Sequence, residues 1–268
     1  MNNNGKAKEI LKKVKVVLLD LDGTVYLGDK LIGNVTETLS LLRNAGKKLV
    51  YLTNNSSRSD EQYVKKLETR GIFNKADDVY TSARATIEYL NAKHKGKSVY
   101  LVAPEAVVKD FADSGIVLTD EKSAQIAVLA YDVTLDFNKI RSFDEALKRG
   151  AFYVATHPDA VCPAEGYSMP DVGSFIEMFK KSSGRAPDVI IGKPYDGMGK
   201  AVEARYGVRC DEVIMVGDRL YTDMAFAVNS GFNSLLVLSG ETTQEMYDQS
   251  GMNLSLVFDS VNDCVKYL

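Results

Sequence analysis

Three cysteines in 268 residues, Cys162, Cys210 and Cys264, stand far apart and without CxxC spacing. That excludes a disulfide framework and a zinc site and fits small buried hydrophobes in a reducing, cytoplasmic setting. Long apolar runs are lacking too: no stretch approaches the roughly eighteen residues that span a bilayer, which argues against a membrane protein. The N-terminal lysines Lys6, Lys8, Lys12, Lys13 and Lys15 are followed by an apolar stretch of only four residues, Val16–Leu19, before Asp20. Such a stretch is too short for a signal peptide. Neither charge sign dominates, since 33 Lys plus Arg stand against 36 Asp plus Glu, a formal net charge of −3. Without a basic footprint, nucleic acid and anionic membranes are excluded as dedicated partners, and a small molecule is the default. The six prolines build no linker and no repeat occurs, so any second domain has to be inserted at loops.

What the chain does contain is alternation. Apolar, β-rich runs at residues 15–21, 48–53, 98–102, 126–131, 152–156, 188–191, 212–217, 234–239 and 255–259 are separated by helical patterns. Several runs are continuously apolar, as parallel strands covered on both faces require. Asn34 with Glu37 reads as a capping pair for a helix ending at Gly46, and Ser59 with Gln62 opens a second helix ending at Gly71. The grammar is that of an α/β protein with a doubly wound, Rossmann-like parallel sheet.

Four polar clusters each follow a strand. The first is Asp20-Leu21-Asp22-Gly23-Thr24-Val25, in which two carboxylates two residues apart project to one side of an extended segment. They are close enough to share a cation or to divide nucleophile and acid roles. An EF-hand fails, because Val25 and Leu31 stand where Gly and Glu are needed; a plain Asp-Gly turn is the bland alternative. The second, Thr53-Asn54-Asn55-Ser56-Ser57, offers hydroxyls, amides and backbone N–H groups to an oxyanion, or simply caps a helix. The third, Gly192-Lys193-Pro194, places a lysine in a tight turn, suited to a phosphoryl oxygen or a carboxylate unless it is an ordinary surface lysine. A nucleotide P-loop is excluded at Gly199-Lys200, where Pro194 and Ala201 break the pattern. The fourth, Gly217-Asp218-Arg219-Leu220-Tyr221-Thr222-Asp223, supplies two more carboxylates, the second near the start of a helix expected over residues 223–229. Together the clusters put four carboxylates and one lysine at one sheet edge, an oxygen-rich set that suits a hard cation, foremost Mg2+, and an anionic ligand.

These four clusters, in this order, resemble the motifs of the haloacid dehalogenase (HAD) superfamily of phosphohydrolases. Thr53-Asn54-Asn55, Gly192-Lys193-Pro194 and Gly217-Asp218-Arg219 through Asp223 are similar to its p-nitrophenylphosphatase or NagD-like branch, whose members insert a C2-type α/β cap between the second and third motifs. The resemblance implies that Asp20 is the nucleophile that becomes an aspartyl-phosphate. Asp22 is then general acid and base, and Lys193, Thr53, Asn54 and Asn55 hold the substrate phosphoryl group. It implies Mg2+ held by Asp20, the backbone carbonyl of Asp22, Asp218 and Asp223. It further implies pairing of two copies through the caps, as is common in such proteins. The presence of Asp22 favours phosphatase or phosphomutase chemistry over that of dehalogenases and P-type ATPases. A phosphomutase or a non-catalytic metabolite-binding relative remains the alternative to a phosphatase that hydrolyses phosphomonoesters of small metabolites.

The spacing locates the insertion. Thr53 and Lys193 are 140 positions apart, against 25 for Lys193 and Asp218, far more than the about 30 residues of a βαβ passage. The expected core therefore comprises residues 1–81 and 188–268, with a cap over 82–187 that includes helices near 137–149 and 173–183. In that cap, the segment Ala155-Thr156-His157-Pro158-Asp159-Ala160, followed by Val161-Cys162-Pro163, matches the loop that selects the leaving group in the branch, and His157 is expected there as a substrate contact or, equally, as a hydrogen-bonded loop histidine. Where many relatives carry Asn, this chain carries His157, so the selectivity itself is not transferred. Tyr131, Asp132 and residues 165–171 are weaker candidates.

Overall fold

The computed structural model describes residues 3–164 and 167–268. The chain begins with α1 (Asn3–Lys13), β1 (Val16–Leu19), a small hairpin of β2 (Tyr26–Leu27) and β3 (Lys30–Leu31), α2 (Val35–Asn44), β4 (Lys48–Thr53), α3 (Asp60–Thr69) and β5 (Asp78–Thr81). There follow α4 (Ser82–Lys93), β6 (Ser98–Val102), α5 (Glu105–Asp113), β7 (Val117–Leu118), β8 (Ile126–Leu129), α6 (Phe137–Lys148) and β9 (Phe152–Ala155). Next come the hairpin strands β10 (Val161–Ala164) and β11 (Tyr167–Pro170), then α7 (Val172–Ser183) and β12 (Val189–Ile190). The chain continues with α8 (Gly197–Tyr206), β13 (Val213–Gly217), α9 (Ala225–Asn229), β14 (Asn233–Val237), α10 (Gln244–Ser250) and β15 (Leu256–Phe258).

Two compact units result, one of Met1–Thr53, Tyr63–Tyr80 and Lys193–Leu268, the other of Asn54–Gln62 and Thr81–Gly192. In the first, β1 lies inside a six-stranded sheet of order β15-β14-β13-β1-β4-β5. β1 runs parallel to both β13 and β4, and β14 parallel to both β13 and β15. β1 is apolar throughout and fully buried, as a strand covered on both faces requires. Alternate residues, Val17 and Leu19, Leu49 and Tyr51, Ile214 and Val216, Leu235 and Val237, share one core with Leu11 of α1, Leu39 and Leu42 of α2, and Tyr63 and Leu67 of α3. The period of two along each strand is what gathers them on one side.

The second unit has its own five-stranded sheet, ordered β12-β9-β8-β6-β7 with parallel pairing throughout, and the antiparallel hairpin β10-β11. Its core centres on Phe143 of α6, whose ring lies 5.3 Å from Tyr153 and 4.7 Å from Phe179, all three fully buried.

Two expectations are corrected. The run at residues 188–191, assigned to the core, pairs with β9 instead, where Ile191 N donates to Ala155 O (3.1 Å) and Gly192 N to Thr156 O (2.8 Å). The boundary therefore falls at Gly192/Lys193, and Asn54–Gln62 joins the second unit as a separate piece. The capping pair expected at Asn34 does not form, because Asn34 makes no side-chain cap bond. The Ser59 and Gln62 pair does form, with Ser59 N donating to Gln62 Oε1 (3.0 Å) and Gln62 N to Ser59 Oγ (3.2 Å). Among the described residues no helix is long and apolar enough to cross a membrane.

Truncating the ring at the centre of the second core, Phe143→Ala, is expected to cost about 3–5 kcal/mol of stability. Urea denaturation followed by circular dichroism measures it as a lowered midpoint.

Candidate active site

The carboxyl ends of the parallel strands in the first unit carry the polar side chains, the edge at which open α/β sheets bind ligands. Asp20 leaves β1 directly, and its N–H donates to Val216 O (2.9 Å) on the neighbouring strand. The chain then turns sharply. Gly23 adopts φ +81°, a conformation disfavoured for residues with a Cβ, and its N–H donates to Tyr26 O (2.7 Å). Asp218 follows the end of β13, and Asp223 lies one π-helical turn further on, in Leu220–Met224, which leads into α9. The helix expected over residues 223–229 therefore begins three residues earlier as a wider turn.

Lys193 ties these elements together. Its buried ammonium donates to Asp20 Oδ1 (2.6 Å), to Asp223 Oδ1 (2.6 Å) and to Leu52 O (3.4 Å). Burial works against its charge, but the two carboxylates more than offset that, and the group is held above the ordinary lysine range. The lysine is thus a fixed cation.

Asp20, Asp218 and Asp223 each present an oxygen within 4.8 Å of the others. Asp218 Oδ2 accepts from Glu241 N (2.7 Å), whereas buried Asp218 Oδ1 has no hydrogen-bond partner among the described residues. Asp223 Oδ2 accepts from Arg219 N (3.2 Å). Burial, then the charges of Asp20 and Asp223, push the Asp218 carboxyl up; burial and Asp20 likewise raise Asp223 against the pull of Lys193. An all-oxygen cluster of mutually repelling carboxylates with one orphaned oxygen fits a hard divalent cation. The walls of this slot are main chain. A Cβ on Gly23 or on Gly240 would collide with the Asp218 carboxylate, and one on Gly217 with Asp223.

The Asp22 side chain stands outside this cluster and accepts from Gly28 N at 3.4 Å. Burial raises its carboxyl; the Gly28 N–H and Lys66 pull it down, Asp20 pushes it further up and Arg219 opposes, leaving it net raised. Two carboxyls in different surroundings, one of them raised by burial, are the arrangement that can divide acid from nucleophile. Thr53 closes β4 and is buried.

The remaining expected residues belong to the second unit. Asn54 Nδ2 donates to both oxygens of Asp159 (3.2 Å each), and its carbonyl accepts from Ser82 Oγ. Asn55 Oδ1 accepts from Ser57 N (2.9 Å) and Ser57 Oγ (2.7 Å), and its Nδ2 donates to Cys162 Sγ (3.7 Å). His157, expected as a substrate contact, is fully buried, with Nε2 3.0 Å from Asp171 Oδ1 and Nδ1 3.0 Å from Thr156 Oγ1. Both ring nitrogens are therefore occupied by protein, and its part is to hold the loop onto the start of α7, where Asp171 also accepts from Val172 N (2.7 Å). His157, Asp159 and Asp171 each present a side-chain atom within 4.8 Å of the others. Asp132 is spent on Lys139 (2.6 Å) and Thr134, and Tyr131 is buried. Residues 165 and 166 of the weaker candidate stretch lie outside the described residues. Glu241 and Ser239 escaped the sequence reading. Ser239 Oγ donates to Gly23 O (2.7 Å), and the polar run Ser239-Gly240-Glu241-Thr242 after an apolar strand was the same signal that marked the other clusters.

This arrangement has relatives. A family model described as haloacid dehalogenase-like hydrolase matches residues 17–117, and a second, HAD-hydrolase-like model matches residues 190–264. An acid sugar phosphatase of Staphylococcus saprophyticus is 32% identical over 96% of this chain and 99% of its own length. The chloroplastic phosphoglycolate phosphatase 1A of Arabidopsis thaliana is 31% identical, covering 90% of this chain and 73% of that one. The crystal structure of a 4-nitrophenylphosphatase from Thermotoga maritima superposes with a TM-score of 0.91 at 36% identity, covering 96% of this chain and 98% of that one. The chain belongs to the haloacid dehalogenase-like hydrolases. Within that family it is a phosphoric monoester hydrolase of the p-nitrophenylphosphatase and NagD type.

Raised carboxyls make the cation-free site a pH-dependent weakness. Because Asp218 and Asp223 bind protons more tightly folded than unfolded, their stabilisation is complete below the ordinary carboxylate range. It is lost as the pH rises through their raised native values toward neutrality. In chelator-treated protein the melting temperature is expected to fall across that window, and Asp218→Asn to flatten the fall and raise the melting temperature at neutral pH. Calorimetry at several pH values measures both.

Proposed function

We propose that this hydrolase is a Mg2+-dependent phosphatase of small phosphorylated metabolites, working through a phosphorylated Asp20. The observation that carries the reading is the Lys193 ammonium clamped between Asp20 and Asp223 beside the orphaned oxygen of Asp218. A carboxylate attacking a phosphate dianion meets repulsion, and charge neutralisation with positioning dominates phosphoryl transfer. Lys193 supplies a fixed positive charge beside the nucleophile, and Thr53 lies at the neighbouring strand end.

Asp20 attacks phosphorus and the ester P–O bond breaks, while Asp22 delivers its proton to the leaving oxygen. Asp22, now a carboxylate, takes a proton from the water that attacks the aspartyl-phosphate, releasing inorganic phosphate and restoring Asp20. Thr53 and Lys193 hold the phosphoryl oxygens, and the family motif gives Asn54 and Asn55, next in the chain, the same role. Asp20, Asp218 and the Asp22 backbone carbonyl would hold Mg2+. Asp223, whose oxygens already accept from Lys193 and Arg219 N, would act through a water. When bound, the ion offsets the carboxylate charge and polarises the phosphoryl group. The acid sugar phosphatase and phosphoglycolate phosphatase relatives support a small, polar phosphorylated substrate.

Purified protein is expected to hydrolyse p-nitrophenyl phosphate with Mg2+, to lose that activity to a chelator, and to lose it in Asp20→Asn with an unchanged circular dichroism spectrum. Inorganic phosphate released in step with the alcohol separates a phosphatase from a phosphomutase. Mg2+-dependent turnover persisting in Asp20→Asn removes Asp20 from the nucleophile role.

A further inference from the structure

The β2-β3 hairpin follows the Asp20 to Asp22 segment and is too small to hold its own shape. Two residue pairs join its strands, Tyr26 with Leu31 and Leu27 with Lys30, with one further backbone bond from Ile32 N to Val25 O (3.1 Å), and an isolated pair of strands is marginal in water even when longer. Its turn passes through Gly28 at φ +59°. Something outside the hairpin must fix that turn, and the contacts come from α3 and the residue just beyond it. Arg70 Nη2 donates to Gly28 O (2.9 Å) and to Asp29 Oδ1 (2.8 Å), and the guanidinium carbon lies 4.4 Å from the centroid of the Tyr26 ring. Lys66 Nζ donates to the Tyr26 hydroxyl (2.9 Å) and lies 4.7 Å from the same centroid. The Tyr26 ring is buried. One aromatic plate thus carries two cations, and one of them grips the turn.

We propose that Arg70 is a positioning residue that sets the Asp22 side chain through the Gly28 backbone. Gly28 presents its carbonyl to Arg70 and its N–H to Asp22 Oδ1 (3.4 Å), so the orientation of one residue links the two side chains. Asp22 lies apart from the Asp20, Asp218 and Asp223 cluster, and Gly28 N–H is the donor at its carboxylate. The Asp29 carboxylate is fully exposed, so its ion pair with Arg70 contributes little by itself. The structural weight of Arg70 falls on the turn, not on the charge pair. The proposal rests on the reading of Asp22 as proton donor.

Proton donation matters in proportion to how poor the leaving group is, which supplies a readout that a merely structural role does not move. Arg70→Ala removes the whole clamp, whereas Arg70→Met keeps an apolar stem on the Tyr26 ring and removes only the donors. For each, kcat/KM is measured with Mg2+ on p-nitrophenyl phosphate, which leaves as a stabilised anion, and on glycerol phosphate, which leaves as an alkoxide needing a proton. Both variants are expected to shift the ratio against glycerol phosphate by about ten-fold, a fraction of the roughly 100- to 10,000-fold that general acid catalysis supplies, because Asp22 itself stays in place. In an Asp22→Asn background, Arg70→Met is expected to change that ratio less than about two-fold, since residues acting through one another are non-additive. Equal losses on both esters, no loss on either, an undiminished shift in the Asp22→Asn background, or a collapsed fold in both variants overturns the proposal. An Asp22→Asn protein without any preference against glycerol phosphate instead overturns the reading of Asp22, a separate outcome.

Discussion

A buried lysine between two carboxylates is the constraint on which the first unit depends. Lys193 begins the last segment of that unit, Asp20 directly follows β1, and Asp223 lies within the turn after β13. Three segments distant in sequence are therefore fixed to one point by charge. Burying a lone cation costs several kcal/mol, and burying a lone carboxylate costs as much. Each is tolerable only while the others are in place. The parallel sheet makes this possible because it delivers successive strand ends to one edge without a side chain having to reach far.

The same accounting explains why the site is unbalanced. One lysine answers two carboxylates, and Asp218 adds a third with an oxygen that no hydrogen bond reaches. Repulsion within the cluster is the reverse side of its fit to a cation, because a site that satisfied its own charges would have nothing to offer one. Stability is given up locally and recovered from the apolar strands beneath, where Leu18, Leu19, Val213 and Ile214 are fully buried.

Much of this was legible in the residues. Continuous apolar runs marked the strands, and polar clusters at their ends marked Asp20, Asp218, Asp223 and Lys193. What periodicity does not carry is which sheet a strand joins. The run at 188–191 is as apolar as its neighbours, and only its hydrogen bonds to Tyr153, Ala155 and Thr156 assign it to the second unit. Strands β2 and β3, at two residues each, are too short to show an alternation. His157 illustrates a different limit. A histidine in a loop after a strand reads as a ligand contact, but whether its nitrogens are free depends on Thr156 beside it and on Asp171 fourteen residues later. Asn34 shows a third: the right capping residue does not cap when its backbone leaves the extended conformation a cap requires.

The slot around Asp218 is bounded by Gly23 and Gly240, with Gly217 against Asp223. Both carboxylates are therefore packed against main chain at points where only a bare Cα leaves room. A side chain at any of the three positions would have to displace the acid it meets, so residues without a functional group of their own hold the acids in register.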